Sequence, residues 1–140
     1  VGIGIGYIFY SYPGAGSALN YNFQEFNVGV SKDFEVASAS ATFNYSDDFF
    51  GGVGEAYYWD FGVEVPLPQK FTIAGHVGLQ NFDDGAQDDY VDWSIGISRP
   101  IKGIDVSLTY YDTDIDAGGF GGASTDNCSE RFVVAVSKAF

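Results

Sequence analysis

Apolar side chains return at every second position in segment after segment of this chain, and a period of two is the signature of a β-strand with two unlike faces. Val1, Ile3, Ile5, Tyr7 and Phe9 alternate with Gly2, Gly4 and Gly6. Tyr57, Trp59, Phe61, Val63 and Val65 oppose Ala56, Tyr58, Asp60, Gly62 and Glu64. The same pattern places Ile73, Val77 and Leu79 against Thr72, Ala74, His76, Gly78 and Gln80, and Val91, Trp93, Ile95 and Ile97 against Asp92, Ser94, Gly96 and Ser98. It recurs with Ile104, Val106, Leu108 and Tyr110 against Asp105, Ser107 and Thr109, and with Phe132, Val134 and Val136 against Arg131, Val133 and Ala135. Ala37, Ala39, Ala41, Phe43 and Tyr45 alternate with Ser38, Ser40, Thr42 and Asn44. Phe26, Val28 and Val30 oppose Glu25, Asn27 and Gly29, whereas Tyr21 and Phe23 fall out of phase, so a bulge near Gln24 is expected to restore the register. Eight strands of about ten residues follow, and no stretch reaches the roughly 18 apolar residues of a transmembrane helix.

The connections alternate between short (Ser31 to Phe34, Pro66 to Lys70, Arg99 to Gly103) and long (Tyr12 to Asn20, Ser46 to Gly54, Asn81 to Asp89, Asp112 to Ser129). This is a repeated hairpin, the plan of an up-and-down meander, and residues 1–140 form one domain with no linker. Charge follows the same division. Lys32, Lys70, Arg99 and Lys102 sit at the short turns. Twelve of the nineteen acids (Asp47, Asp48, Glu55, Asp83, Asp84, Asp88, Asp89, Asp112, Asp114, Asp116, Asp126 and Glu130) lie in or beside the long connections, which hold no Lys or Arg.

Alternation alone fits a soluble barrel with an apolar interior or a membrane barrel with an apolar exterior. The composition of the polar face decides between them. In water that face would carry long charged side chains; here it is mainly Gly, Ser, Thr, Ala and Asn, small groups suited to a crowded interior. The apolar face carries Tyr57, Trp59, Trp93 and Tyr110 near strand ends, as aromatic girdles at both water boundaries require. The reading is an all-β, antiparallel up-and-down transmembrane β-barrel of the bacterial outer membrane. Short turns on its periplasmic rim and long acidic loops outside the cell match the usual asymmetry of such barrels.

Several function classes are excluded or disfavoured. The net charge of −13 opposes the basic footprint of nucleic-acid binding. The single cysteine, Cys128, and single histidine, His76, give no metal cluster or nucleophile-base motif, so neither a cofactor nor an enzyme is expected. Asp112, Asp114 and Asp116 offer a weak divalent-binding loop, but Gly118 comes one place late for an EF-hand and no bidentate Glu follows. The candidate lumen-facing residues are Glu25, Tyr58, Asp60, Glu64, His76, Asp92, Asp105 and Arg131. Acids dominate that set, which favours cations, although pairing of acids with Arg131 would be equally consistent.

In order along the chain, Tyr12-Pro13-Gly14, Tyr45-Ser46-Asp47-Asp48-Phe49-Phe50-Gly51, Pro66-Leu67-Pro68, His76-Val77-Gly78, Asp89-Tyr90-Val91-Asp92-Trp93, Tyr110-Tyr111-Asp112-Thr113-Asp114 and Val136-Ser137-Lys138-Ala139-Phe140 resemble the proteobacterial Gcw_chp family, whose members are also described as TorF-type porins. The resemblance spans nearly the whole chain. It implies that this is the C-terminal part of a larger barrel of near twelve strands, with further strands before the Tyr-Pro-Gly strand. Phe140 also resembles the C-terminal signal read by the barrel-assembly machinery. Expected partners are outer-membrane lipid, lipopolysaccharide and that machinery, and a homo-oligomer is compatible with the sequence. The expected function is porin-like passive transport of small solutes or ions; the alternative is a closed structural or adhesive barrel acting through its acidic loops.

Overall fold

A computed structural model describes residues 1–16, 19–83, 85, 87–115 and 128–138. Eight strands form among them: β1 (Gly2–Tyr10), β2 (Phe23–Asp33), β3 (Ser38–Ser46), β4 (Ala56–Leu67), β5 (Phe71–Phe82), β6 (Tyr90–Ile101), β7 (Ile104–Thr113) and β8 (Arg131–Ser137). They make one antiparallel sheet in the order β1 to β8, each strand beside its sequence neighbours, and no α-helix occurs among the described residues. The period-two segments are therefore strands, and the short-turn, long-loop alternation is a meander. The tightest turn is Lys102-Gly103, whose φ values of 52° and 80° are both positive, as a two-residue primed turn requires.

The described strands form an open sheet, with β1 and β8 as its edges. The register aligns side chains in rows across it. One row runs Gly2, Ser31, Ser40, Gly62, His76, Ser94, Tyr111 and Arg131; the next runs Gly4, Gly29, Thr42, Asp60, Gly78, Asp92 and Thr113. On the other face a row runs Ile3, Val30, Ala41, Phe61, Val77 and Trp93. Polar residues from β2 to β7 line a single cavity, so the polar face is the concave one.

The bulge expected near Gln24 is absent. Pairing of β1 with β2 is uninterrupted from Tyr10 opposite Phe23 to Gly2 opposite Ser31, which keeps Phe23 on the same face as Glu25. At the long-loop end the concave face itself turns apolar. Phe23 stacks on Tyr10 at 4.3 Å between ring centroids and leans on Phe49 at 4.9 Å, while Phe49 meets Phe82 at 5.9 Å. Phe23, Ala56 and Phe82 are the buried apolar residues among those described, so the core sits under the loops. Burying a phenylalanine contributes about 1.5–3 kcal/mol, enough to make loop cover a better use of Phe23 than a phase shift.

Candidate functional site

Three neighbouring strands bring four polar side chains together at the middle of the concave face. Tyr58 and Asp60 project from β4, His76 from β5 and Asp92 from β6. The His76 ring lies between two carboxylates, with Nδ1 3.1 Å from Asp60 Oδ2 and Nε2 2.7 Å from Asp92 Oδ1. Two N–H donors exist only in the imidazolium form, which is thus the form that satisfies both contacts. The Tyr58 hydroxyl donates to Asp92 Oδ2 at 3.1 Å and lies 3.4 Å from His76 Nε2. All four side chains are half-buried, so each bond spares a polar group part of its desolvation cost.

This arrangement depends on Gly78. It stands between Asp60 and Asp92 in its row, and a Cβ built there would overlap the Tyr58 hydroxyl and the Asp92 carboxylate. The Tyr58 ring occupies the space that a side chain at 78 would take. Gly62 and Gly96 give similar clearance to Ser40 and Thr109, whose hydroxyl oxygens lie 2.7 and 2.6 Å from the corresponding Cβ positions.

The four side chains separate two cavities. Towards the short turns, about 420 Å³ is lined by Asp60, Glu64 and His76 together with Ser31, Asp33, Ser40 and Ser94. Towards the long loops, about 630 Å³ is lined by Glu25, Tyr58, Asp92, Tyr90 and Phe49. The register puts all eight lumen-facing candidates on the concave face, but it gathers only Tyr58, Asp60, His76 and Asp92 into one bonded group. Glu25 and Glu64 line the flanking cavities, Asp105 is exposed near the short-turn rim opposite Pro100, and Arg131 lies on the edge strand opposite Tyr111. Gly78 and the buried Ser46 were missed by sequence reasoning. Both carry a signal only once the strands are in register.

The acidic loop residues do other work. Asp112 accepts from the Tyr110 hydroxyl at 2.8 Å and from the Thr113 N–H at 2.9 Å, and Asp114 accepts from the Val91 N–H at 2.7 Å. Asp116 and Phe140 lie outside the described residues. Among the described residues no group of three or more metal-ligating side chains is placed to hold an ion.

Asp89 anchors the long connection between β5 and β6, accepting from the Phe82 N–H at 2.8 Å and from Asn81 Nδ2 at 3.0 Å. The Asn81 bond, then the backbone bond, holds its carboxyl below the ordinary value of 3.8. A lowered folded value means that stability is fully present above 3.8 and lost as pH falls through the folded value. Asp89→Asn should therefore flatten the acid limb of a stability-against-pH curve below 3.8 and leave its shape near neutrality unchanged, as denaturant titrations at a series of pH values would measure. An acid limb identical to that of the parent chain would contradict this assignment.

The convex face is apolar and open. Val63 is 46% exposed, Val77 43% and Ile95 59%, while the concave partners Gly62, His76 and Ser94 are more enclosed. Near the long-loop rim the register lines up Tyr7, Phe26, Tyr45 and Tyr57 in one row, with Phe43 and Trp59 in the next. Tyr45 and Tyr57 donate to the two oxygens of Glu55 at 3.1 and 2.5 Å. At the short-turn rim Lys32 Nζ stands 4.9 Å from the Phe34 ring centroid and Arg99 Cζ 4.8 Å from that of Phe71. Each rim thus carries rings with a polar or cationic companion.

Fold and site define an all-β protein: one antiparallel eight-stranded meander with a polar, acid-bearing concave face and an apolar convex one. The chain belongs to the family described as "Bacterial protein of unknown function (Gcw_chp)", whose model matches residues 1–140. No curated protein and no solved structure matches it.

Proposed function

We propose that the chain forms a β-barrel, or part of one near twelve strands, in the bacterial outer membrane, and that its polar interior conducts small cations. The observation that carries this reading is the inversion of the two faces. On the convex face Val28, Trp59, Phe61, Val63, Val77 and Ile95 are exposed, whereas Ser, Thr, Asn, Asp and His line most of the enclosed side. Water would not tolerate so continuous an apolar exterior; lipid requires it. An open sheet edge is not tolerated in lipid either, so β1 and β8 close on each other or through intervening strands. The rings at both rims suit the two interfaces, and the cations beside Phe34 and Phe71 suit a periplasmic one. Outer-membrane lipid and lipopolysaccharide surround such a barrel, and the assembly machinery inserts it.

Asp60, Glu64, Asp92 and Asp105 outnumber Arg131 on the inner face, which favours cations. Reversal potentials across planar bilayers under a salt gradient should be cation-directed, and Asp60→Asn combined with Glu64→Gln should move them towards zero. An anion-directed potential would overturn the charge argument. A second reading, a closed structural or adhesive barrel, is favoured by the bonded group of Tyr58, Asp60, His76 and Asp92, which fills the middle of the concave face. Inserted protein that never conducts would select it.

A further inference from the structure

We propose that the cavity of about 630 Å³ under the long loops is a binding site for a small organic ammonium ion, held at the Glu25 carboxylate among the rings of Phe49, Tyr58 and Tyr90. The inference rests on the transport reading insofar as it names the class of solute that the interior takes.

Carboxylate bonding across the concave face is uneven. Asp60 and Asp92 are satisfied by His76 and Tyr58. Glu25 is half-buried and makes no hydrogen bond or ion pair among the described residues, while Glu64, Asp33 and Asp105 are exposed to water. A half-buried carboxylate without a donor is costly, and it supplies up to four lone-pair sites to whatever enters.

Ser46 points to a ligand independently. It is 2% exposed, and its hydroxyl oxygen is buried without a hydrogen-bond partner among the described residues. It lines a small space of about 10 Å³ shared with Glu25, Phe49 and Tyr58, next to the larger cavity and about large enough for one water. An N–H donor seated on Glu25 would reach this hydroxyl directly or through that water, and the orphaned oxygen would be satisfied.

The lining also sets the chemistry of the cation. Three aromatic rings attract a weakly hydrated cation with apolar surface and give a small hydrated metal ion nothing in return for its water shell. Unpaired carboxylate oxygens ask for N–H donors, which a primary ammonium has and a quaternary one lacks. Among the described residues no Lys or Arg lines the cavity to receive an anion. Its volume is ordinary for a small-molecule site.

The test is a calorimetric titration of n-butylammonium chloride into the full chain in a non-ionic maltoside detergent, with sodium butyrate and tetramethylammonium chloride as comparisons. Saturable butylammonium binding is expected, with weaker tetramethylammonium binding and none of butyrate. Glu25→Gln should weaken butylammonium at least tenfold, Ser46→Ala by a few-fold, and Glu35→Gln, in the exposed turn between β2 and β3, not at all. Circular dichroism checks that each variant keeps its strands; if Glu25→Gln fails to fold, the Ser46→Ala shift and the ammonium-against-carboxylate preference decide. Equal binding of butylammonium and butyrate, or affinity unchanged in Glu25→Gln, overturns the proposal. The barrel reading fails separately. A chain that inserts into bilayers but shows no Glu25-dependent binding refutes the ligand alone, and a chain soluble without detergent that binds butylammonium refutes the membrane alone.

Discussion

Val77→Arg should lower the stability of the chain folded into lipid vesicles by about 2–4 kcal/mol, the cost of a cationic side chain on the lipid face near the bilayer midplane of a barrel. Val77 is the sharpest position at which to ask. It sits mid-strand in β5, is flanked in its row by Phe61 and Trp93, and has 43% of its surface exposed. Ala74→Arg is the matched control on the opposite face of the same strand. Its cross-strand neighbour is Glu64, and it borders the cavity of about 420 Å³, so the guanidinium would have both room and a counter-charge. That substitution should cost no more than about 1 kcal/mol, since a partly solvated ion pair changes stability little in either direction. Urea titrations of both variants in vesicles would give the two numbers side by side. The opposite order, with Val77→Arg the milder change, would mean that the convex face meets water and that the proposed membrane location is wrong.

Much of the fold was legible from the chain alone, because alternation reports strand and face together. Trp59 and Asp60 could not be placed on opposite faces by any other regular structure, and the glycine- and serine-rich character of the Asp60 face already marked it as the enclosed one. What alternation cannot give is register. Sliding a strand by two residues leaves its faces unchanged and moves every side chain to a new row. The meeting of Asp60, Gly78 and Asp92 in one row, with His76 in the next, depends on turns such as Lys102-Gly103 and on where each hairpin closes. Phe23 misled for a different reason. Its phase was read against a uniformly polar inner face, whereas that face turns apolar at its long-loop end, where the strand residues Tyr10 and Phe82 and the loop residue Phe49 gather. Glu25 was placed on the inner face from sequence, but its lack of a partner among the described residues, and that of the Ser46 hydroxyl beside it, belong to three-dimensional packing.

The second large effect is expected at Gly78. A methyl group there cannot coexist with the Tyr58 ring in its present position, because the Cβ would overlap both the Tyr58 hydroxyl and the Asp92 carboxylate. The backbone has little freedom to yield, since Gly78 is paired on both sides, to Asp60 and to Asp92. Tyr58 must therefore swing away, which breaks its 3.1 Å bond to Asp92 and loosens the carboxylate that holds His76 Nε2 at 2.7 Å. Overpacking of this kind costs about 1–3 kcal/mol. Gly4→Ala, in the same row but with nothing within 4 Å of its Cβ position, should be close to neutral. If the overlap with Tyr58 is the cause, removing the ring should relieve it: Gly78→Ala combined with Tyr58→Ala should cost less than the sum of the single changes by about 1 kcal/mol or more, the coupling expected of groups in direct contact. Ring ¹⁵N spectra of His76 would follow the same cycle, with an altered Nε2 signal in Gly78→Ala relative to the parent chain. Additive energies, or a Gly78→Ala variant as stable as Gly4→Ala with unchanged histidine signals, would show that Tyr58 does not lie over Gly78 and that the four side chains do not form one bonded group.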